Sequence, residues 1–212
     1  LRVAKNLIDK EIIDTIPVVG VVGNMMLWAS GIDIGEVNKS FIRNALQDDF
    51  EDTWKMAKFL YDNHKEFFLL PSDIAVEVEG NRVAMNISEL PTKYPIYDIG
   101  ISTLQEIRPL MINAGCILWN GPASYFELPG FAFGTIEILN MCTESSAVTI
   151  VGGGHTSSLV SNRGVVNLVT HNSTGGGACL TMLSGGFMPV IESLIKSNEK
   201  FRSLLPSLDL DN

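Results

Sequence analysis

Cationic side chains are scarce in this 212-residue chain, which carries 15 Lys and Arg against 24 Asp and Glu, a formal net charge of -9. A polyanion binder gains affinity by laying Lys and Arg along one face, so nucleic acid is excluded as a partner. A single phosphate is not, because backbone N–H groups at a helix N-terminus hold an anion without any basic side chain. Cysteine is scarce too: Cys116, Cys142 and Cys179 are far apart and odd in number, and no CxxC pair suggests metal or redox chemistry. They read as buried reduced thiols. His64, His155 and His171 show neither the HxH nor the HExxH spacing of a zinc site, so no protein-held metal is expected from spacing. No run reaches the roughly 18 apolar residues that a bilayer span needs. Residues 1–10 read as an amphipathic helix rather than a signal peptide, so no membrane partner and a cytoplasmic location are expected. Internal repeats, low-complexity tracts and linkers are missing as well, which leaves one core to account for.

The composition can build that core, since 46% of the residues are hydrophobic and 18% are charged. Helix-then-strand units recur along the chain. Leu1, Val3, Leu7, Ile12 and Ile13 fall at helical spacing, and residues 16–22 form an apolar run read as a buried strand. Trp54, Met56, Phe59 and Leu60 mark a helix over 53–64, followed by a strand at 67–70 that Pro71 stops. Residues 75–79 and 82–87 alternate with period two around Gly80 and Asn81, which predicts a surface hairpin. Helices at 102–114 and 135–141 then lead into strands at 116–119 and 147–151, and a last strand is expected at 165–169. Apolar strands separated by amphipathic helices require a sheet covered on both faces. The expected fold is therefore α/β, a Rossmann-like three-layer domain with a mostly parallel sheet and a small surface hairpin. Residues 203–212 are polar and interrupted by proline, and read as a loosely held tail.

In such a fold ligands collect beyond the C-terminal ends of the strands, and the distinctive residues lie there. Val151 runs into Gly152-Gly153-Gly154-His155-Thr156-Ser157-Ser158, a glycine turn followed by hydroxyls suited to a helix start. A glycine run serves a tight turn or a phosphate, and the strand-turn-helix placement favours phosphate. Asn172-Ser173-Thr174-Gly175-Gly176-Gly177 repeats the arrangement before a helical segment, and two such turns suit a ligand with several phosphates. The third loop, residues 118–127, has two readings of equal standing. It is either a hydrophobic turn with an exposed Glu127, or the border of a purine and ribose pocket whose Glu127 accepts from ribose hydroxyls. His155 reads as a general base, a metal ligand or a plain polar cap. The lysines at 5, 10, 39, 55, 58 and 65 read as solvated helix faces, so no catalytic cation stands out.

LWNGPASYFE at 118–127 resembles the WNGPxGxFE segment of phosphoglycerate kinases. GGGHT at 152–156 resembles their GGGDT, and the 173–189 stretch resembles their STGGGAxLxxLxGxxLP, in the same order. GVVGNMMLWASGIDIG, LLPSDIAVEV and YPIYDIG are similar to the remaining landmarks of the C-terminal half in the archaeal branch. The resemblance implies reversible phosphoryl transfer between 1,3-bisphosphoglycerate and Mg-ADP, giving 3-phosphoglycerate and Mg-ATP. This chain, residues 1–212, would be the nucleotide-binding half of a two-domain kinase, and the acid substrate would sit on an N-terminal half absent here. It implies that Asn120, Pro122 and Glu127 line the nucleotide pocket, that Gly153, Gly154, His155 and Thr156 face its phosphates and metal, and that Gly20 approaches the adenine. Gly154, Gly175, Gly176 and Gly177 would lie near the transferring phosphoryl group.

The departures shape the expectations. His155 stands where the family commonly has Asp, and an imidazole lacks the hard anionic oxygen that Mg favours. Ser124 replaces a glycine and Tyr125 a valine, which implies a stiffer loop and a different contact to the base. The family's nucleotide lysine would precede Leu1, and Lys5 on the following helix is no substitute. A monomeric fragment, inactive alone, is therefore expected. Competing readings are a nucleotide-binding module without kinase activity; a dinucleotide dehydrogenase domain, which would want GxGxxG where the chain has GVVGNM; and a structural or interaction domain whose glycines all serve turns, against which the two hydroxyl-rich glycine loops argue.

Overall fold

The computed structural model describes residues 1–202; the tail expected over 203–212 lies outside the described residues. The first part of the chain runs α1 (Arg2–Asp9), β1 (Ile16–Pro17), α2 (Gly20–Ala29), α3 (Glu36–Leu46), α4 (Phe50–His64) and β2 (Phe68–Leu69). A hairpin of β3 (Asp73–Val78) and β4 (Asn81–Asn86) precedes β5 (Ile96–Ile99) and α5 (Ile101–Ile112). The remainder is β6 (Cys116–Asn120), α6 (Phe133–Glu144), β7 (Val148–Gly152), α7 (Gly154–Asn162), β8 (His171–Asn172), α8 (Gly176–Leu183) and α9 (Pro189–Phe201).

Strands β6, β7 and β8 pair in that order and in parallel, with α6 and α7 as the crossovers, and β1 pairs with β2 in parallel. The α/β expectation holds, with one antiparallel sheet, β4-β3-β5, beside the parallel ones. The hairpin is less superficial than its alternation suggests. β3 is the middle strand of that sheet and its Ile74, Ala75 and Val76 are fully buried, so only β4 forms a surface edge. Val78 pairs with Asn81, which places the turn one residue earlier than expected, on Glu79 and Gly80, both at positive φ.

Two other expectations are corrected. The apolar run 16–22 is strand only at Ile16–Pro17; from Gly20 it is the first turn of α2, whose Met25, Met26, Leu27 and Ala29 are buried. An apolar run serves a buried helix as well as a buried strand, and length alone does not separate them. The run 165–169 is a 3-10 turn at Val166–Leu168 with Leu168 58% exposed, and the strand is formed by His171–Asn172 instead. The cysteines also divide: Cys142 is buried, Cys179 is half-buried and Cys116 is exposed.

Two groups of buried side chains make the core. One joins β5, β6 and β7 to α5, α6 and α7 through Ile99, Ile107, Trp119, Ile138 and Val151. The other packs α2, α3 and α4 against β3 through Met26, Leu27, Ile42, Leu60 and Ile74. Each such side chain contributes about 2 kcal/mol by leaving water.

Buried and half-buried polar groups fix the joints. Asp73 accepts from the backbone N–H of Ser102 and Thr103 and from the Thr103 hydroxyl, anchoring the start of α5 to β3. Burial pulls its carboxyl upward, but these hydrogen bonds outweigh burial and hold it below its ordinary value. At the other end of the chain, Asn6 of α1 donates to the Leu183 carbonyl at the end of α8, at 2.7 Å.

Candidate functional site

The parallel register brings the C-terminal ends of three strands to one edge, because Asn120 pairs with Gly152 and Val151 with Asn172. The β7–α7 turn is tight. Gly153 lies at φ 93°, where L side chains are strained, and Asn120 Oδ1 would be 3.4 Å from a β-carbon there. Thr156 is fully buried, and its hydroxyl turns back to donate to the carbonyls of Gly152 and Gly153. It locks the turn rather than presenting its oxygen to the surface.

The β8–α8 turn lies directly against the first. Ser173 N–H donates to the Val151 carbonyl at 2.8 Å, and Gly176 packs on Gly153 so closely that a β-carbon would come within 3.1 Å of the Gly153 Cα. By contrast, β-carbons at Gly154, Gly175 and Gly177 would meet nothing within 4 Å. The starts of α7 and α8 are thus adjacent, and first-turn N–H groups, which have no intrahelical partner, gather around open space. Gly176 belongs to the joint between the turns; Gly154, Gly175 and Gly177 border the opening.

The β6–α6 loop forms the third wall. Gly20, at the start of α2, lies against the Pro122 carbonyl, which would be 2.6 Å from a β-carbon. Ala123 N–H donates to Thr135 Oγ1 at 3.1 Å, and the Ser124 and Thr135 hydroxyls share a 2.6 Å hydrogen bond under α6. Ser124, expected to alter the contact to the base, is buried and turned inward. Tyr125 is exposed and sits edge-on to Tyr97, with ring centroids 5.2 Å apart.

The same loop is held from below by Asp98, whose carboxylate accepts from Gly134 N–H at 3.1 Å and Ile99 N–H at 2.8 Å and lies 3.4 Å from the Arg82 guanidinium of β4. Burial pushes Asp98 up to about 6 in spite of these partners. Sequence reading assigned it no role, since one acid in an apolar strand gives no sign of its partners.

Two expected site residues meet across the opening. His155 Nδ1 and Glu127 Oε1 are 3.0 Å apart, and Phe126 stands at 88° to the imidazole with centroids 6.3 Å apart. An open cleft of about 360 Å³ adjoins the pair, lined by Phe126, Gly154, His155, Ser158, Leu159 and Asn162; Gly154 is its one contribution from the glycine turns, and Asn120, Pro122, Gly175 and Gly177 stand outside its lining. Ser158, expected as a hydroxyl near the helix start, lines the cleft, whereas Leu159 and Asn162 escaped sequence reading, although their spacing from His155 and Ser158 along α7 is helical and would have found them. A larger open hollow of about 510 Å³, over Asp33, Glu36 and Lys93, contains none of the glycine turns. The cleft beside His155 does not suit a protein-built magnesium cage. Glu127 is engaged by His155, the Thr156 hydroxyl is spent on the turn, and among the described residues no group of three or more His, Cys, Asp or Glu could hold a metal ion.

Comparison with known proteins agrees with this geometry. The family model for phosphoglycerate kinase matches residues 1–186. The chain is 34% identical over 195 residues to a phosphoglycerate kinase of Methanopyrus kandleri, covering 92% of this chain and 47% of that one. It is 36% identical over 209 residues to one of Pyrococcus furiosus, covering 97% and 50%. Among solved structures, phosphoglycerate kinase from Pyrococcus horikoshii OT3 superposes with a TM-score of 0.85 at 33% identity, covering 94% of this chain and 49% of that one. The Coxiella burnetii phosphoglycerate kinase gives 0.75 at 31%, covering 92% and 49%. The chain therefore spans about half the length of the curated relatives it matches. All three loops that form the glycine-lined edge fall within the matched residues, and with that the chain belongs to the phosphoglycerate kinase family.

Proposed function

We propose that this chain is the C-terminal, nucleotide-binding half of a two-domain phosphoglycerate kinase, which moves a phosphoryl group reversibly between 1,3-bisphosphoglycerate and ADP to give 3-phosphoglycerate and ATP. The observation that carries this reading is the contact of Gly176 with Gly153, which sets two helix N-termini side by side around one opening. Backbone N–H donors at Gly154, Gly175 and Gly177 hold the phosphates, and they stabilise the charge that grows on the phosphoryl group during transfer. Asn120, Pro122 and Glu127 border the sugar and base, with Gly20 behind Pro122. Magnesium enters as the counter-ion of the nucleotide, since the carboxylate beside the cleft, Glu127, is engaged by His155.

The acid substrate and the cations that neutralise the moving phosphate belong to another half of the enzyme, so the 212-residue chain binds nucleotide and transfers nothing alone; it does so as a monomer in the cytoplasm. A module that binds nucleotide without any transfer is the second reading, favoured by a cleft lining that contains neither Lys nor Arg. Titration calorimetry with ADP tests the shared part. Saturable binding that Gly154→Val abolishes while the circular dichroism stays native supports it, because a β-carbon at Gly154 meets nothing within 4 Å and would stand in the space the phosphate needs. Wild-type chain that gives no heat with ADP would remove it. Phosphoryl transfer on adding the other half of a relative then separates the two readings.

A further inference from the structure

The β6–α6 loop, which the nucleotide reading places against the sugar and base, is fastened from beneath by two neighbouring residues of β5. The Tyr97 carbonyl accepts from Tyr125 N–H at 2.7 Å, and the Asp98 carboxylate accepts from Gly134 N–H at 3.1 Å in the first turn of α6. A β-carbon on Gly134 would collide with Asp98 Oδ1, so the carboxylate sits flush against that turn. Thr135, the next residue, carries the loop: its Oγ1 accepts from Ala123 N–H and bonds the Ser124 hydroxyl. The grip of Asp98 on α6 thus reaches Ala123, and with it Pro122 where its carbonyl lies against Gly20.

Every hydrogen-bond partner of this carboxylate is a donor. Oδ1 accepts from Ile99 N–H at 2.8 Å, and Oδ2 faces both Gly134 N–H and, at 3.4 Å, Arg82 Nη2. An ionised carboxylate only accepts, whereas a protonated one must direct its own O–H somewhere, and either oxygen would direct it at a donor. Protonation therefore costs part of the hold on α6 and removes a negative charge from a helix N-terminus that favours one. Arg82 is a partial guard: it spends its shorter bond, 3.0 Å, on the Ile99 carbonyl, and among the described residues its buried Nε has no partner. Burial accordingly pushes Asp98 up to about 6. The other charges on the elements packed against β5 are engaged elsewhere. On β3, Asp73 accepts from Ser102 and Thr103 and Glu77 from Gly80; on α6, Glu137 accepts from Asn140 and Glu144 pairs with Arg108; α2 carries none.

We infer that Asp98 is a positioning residue for the nucleotide site: its ionised carboxylate holds the start of α6, and through Thr135 the loop carrying Pro122 and Glu127, so that a proton on Asp98 and a nucleoside diphosphate at the site oppose each other. The inference rests on the nucleotide reading above and deepens it. The opposition is reciprocal: acid weakens ADP binding, and bound ADP makes Asp98 a stronger acid. Stability runs the other way, because burial favours the neutral carboxyl, so the fold gains from this group as pH falls while the site loses affinity. A residue that only held the fold together would move both in the same direction.

The test titrates the 212-residue chain with ADP in excess Mg²⁺, for wild type and Asp98→Asn, at about pH 7.5 and about pH 5, which bracket the titration of the carboxyl. The ionisations of ADP and of His155 are common to both proteins and cancel from their ratio. Wild type should lose roughly tenfold more affinity than Asp98→Asn across that interval, while urea denaturation finds it folded at the lower pH. A second readout needs no variant: the carboxyl carbon resonance of Asp98, followed by NMR, should titrate at lower pH in saturating ADP than without it. Should Asp98→Asn not fold, this readout decides alone. Parallel affinity profiles for the two proteins, or an Asp98 titration that ADP does not move, would overturn the inference while the nucleotide reading stands. If ADP binds at neither pH, the nucleotide reading fails and the inference goes with it.

Discussion

A side chain on Gly176 would crowd the backbone of Gly153: its β-carbon would sit 3.1 Å from the Gly153 Cα and 3.2 Å from the Gly153 nitrogen. Gly176→Val should therefore push the two turns apart, lower stability by about 1–3 kcal/mol and weaken ADP binding. Gly177→Ala, whose β-carbon meets nothing within 4 Å, should keep the wild-type stability. Urea denaturation compares the two; equal midpoints for wild type and Gly176→Val would contradict the contact.

Ser124 offers a contrast between a site residue and its support. Its hydroxyl is buried against Thr135 and not turned to the opening. Ser124→Ala should cost about 1 kcal/mol of stability and leave ADP affinity within roughly twofold of wild type. A large loss of affinity with unchanged stability would place the side chain at the ligand instead.

Asp98 gives the fold a pH dependence of unusual sign. Its pKa rises from 3.8 to about 6 on folding because burial disfavours the charged form. The folded state therefore holds more proton than the unfolded state between those values, and this group's contribution to stability falls as pH rises through the window. A rise of that size corresponds to roughly 3 kcal/mol in all. Asp98→Asn should remove the slope between about pH 4 and 6 in denaturant titrations. The hydrogen-bonded Asp73 acts at lower pH, since its depressed pKa lets stability go only as pH falls below its ordinary range.

The thiols should report the fold directly. Burial pushes the Cys142 thiol up to about 12, and the side chain is fully covered, so an alkylating reagent should leave it untouched in native protein. Cys116, exposed at the start of β6, should label first. Peptide mass spectrometry of briefly alkylated protein checks the order, and early labelling of Cys142 would mean that α6 does not pack as described.

Much of the fold was legible because it rests on periodicity. β6 and β7, apolar at most of their buried positions, and α4, α5 and α6, with apolar residues at helical spacing, emerge within a few residues of their observed bounds. What failed was the apolar run whose period is ambiguous. Residues 20–22 begin a helix, and Val166 and Leu168, apolar enough for a strand, face solvent in a 3-10 turn. At the candidate site, the glycine turns could be found from strand-turn-helix order. The pairing of His155 with Glu127 could not, because it joins residues 28 apart through side chains alone. The same holds for Asp98, whose partners Arg82 and Gly134 lie on separate elements.

The bond from Asn6 to Leu183 gives α8 two masters. Its first residues rest on the β7–α7 turn, and its last carbonyls on α1, at opposite ends of a rod roughly 12 Å long. The alignment of the glycine edge therefore depends on a helix that contributes no atom to it. In this sense α1 works as a gunsight's rear notch, setting the aim of a tip it never touches.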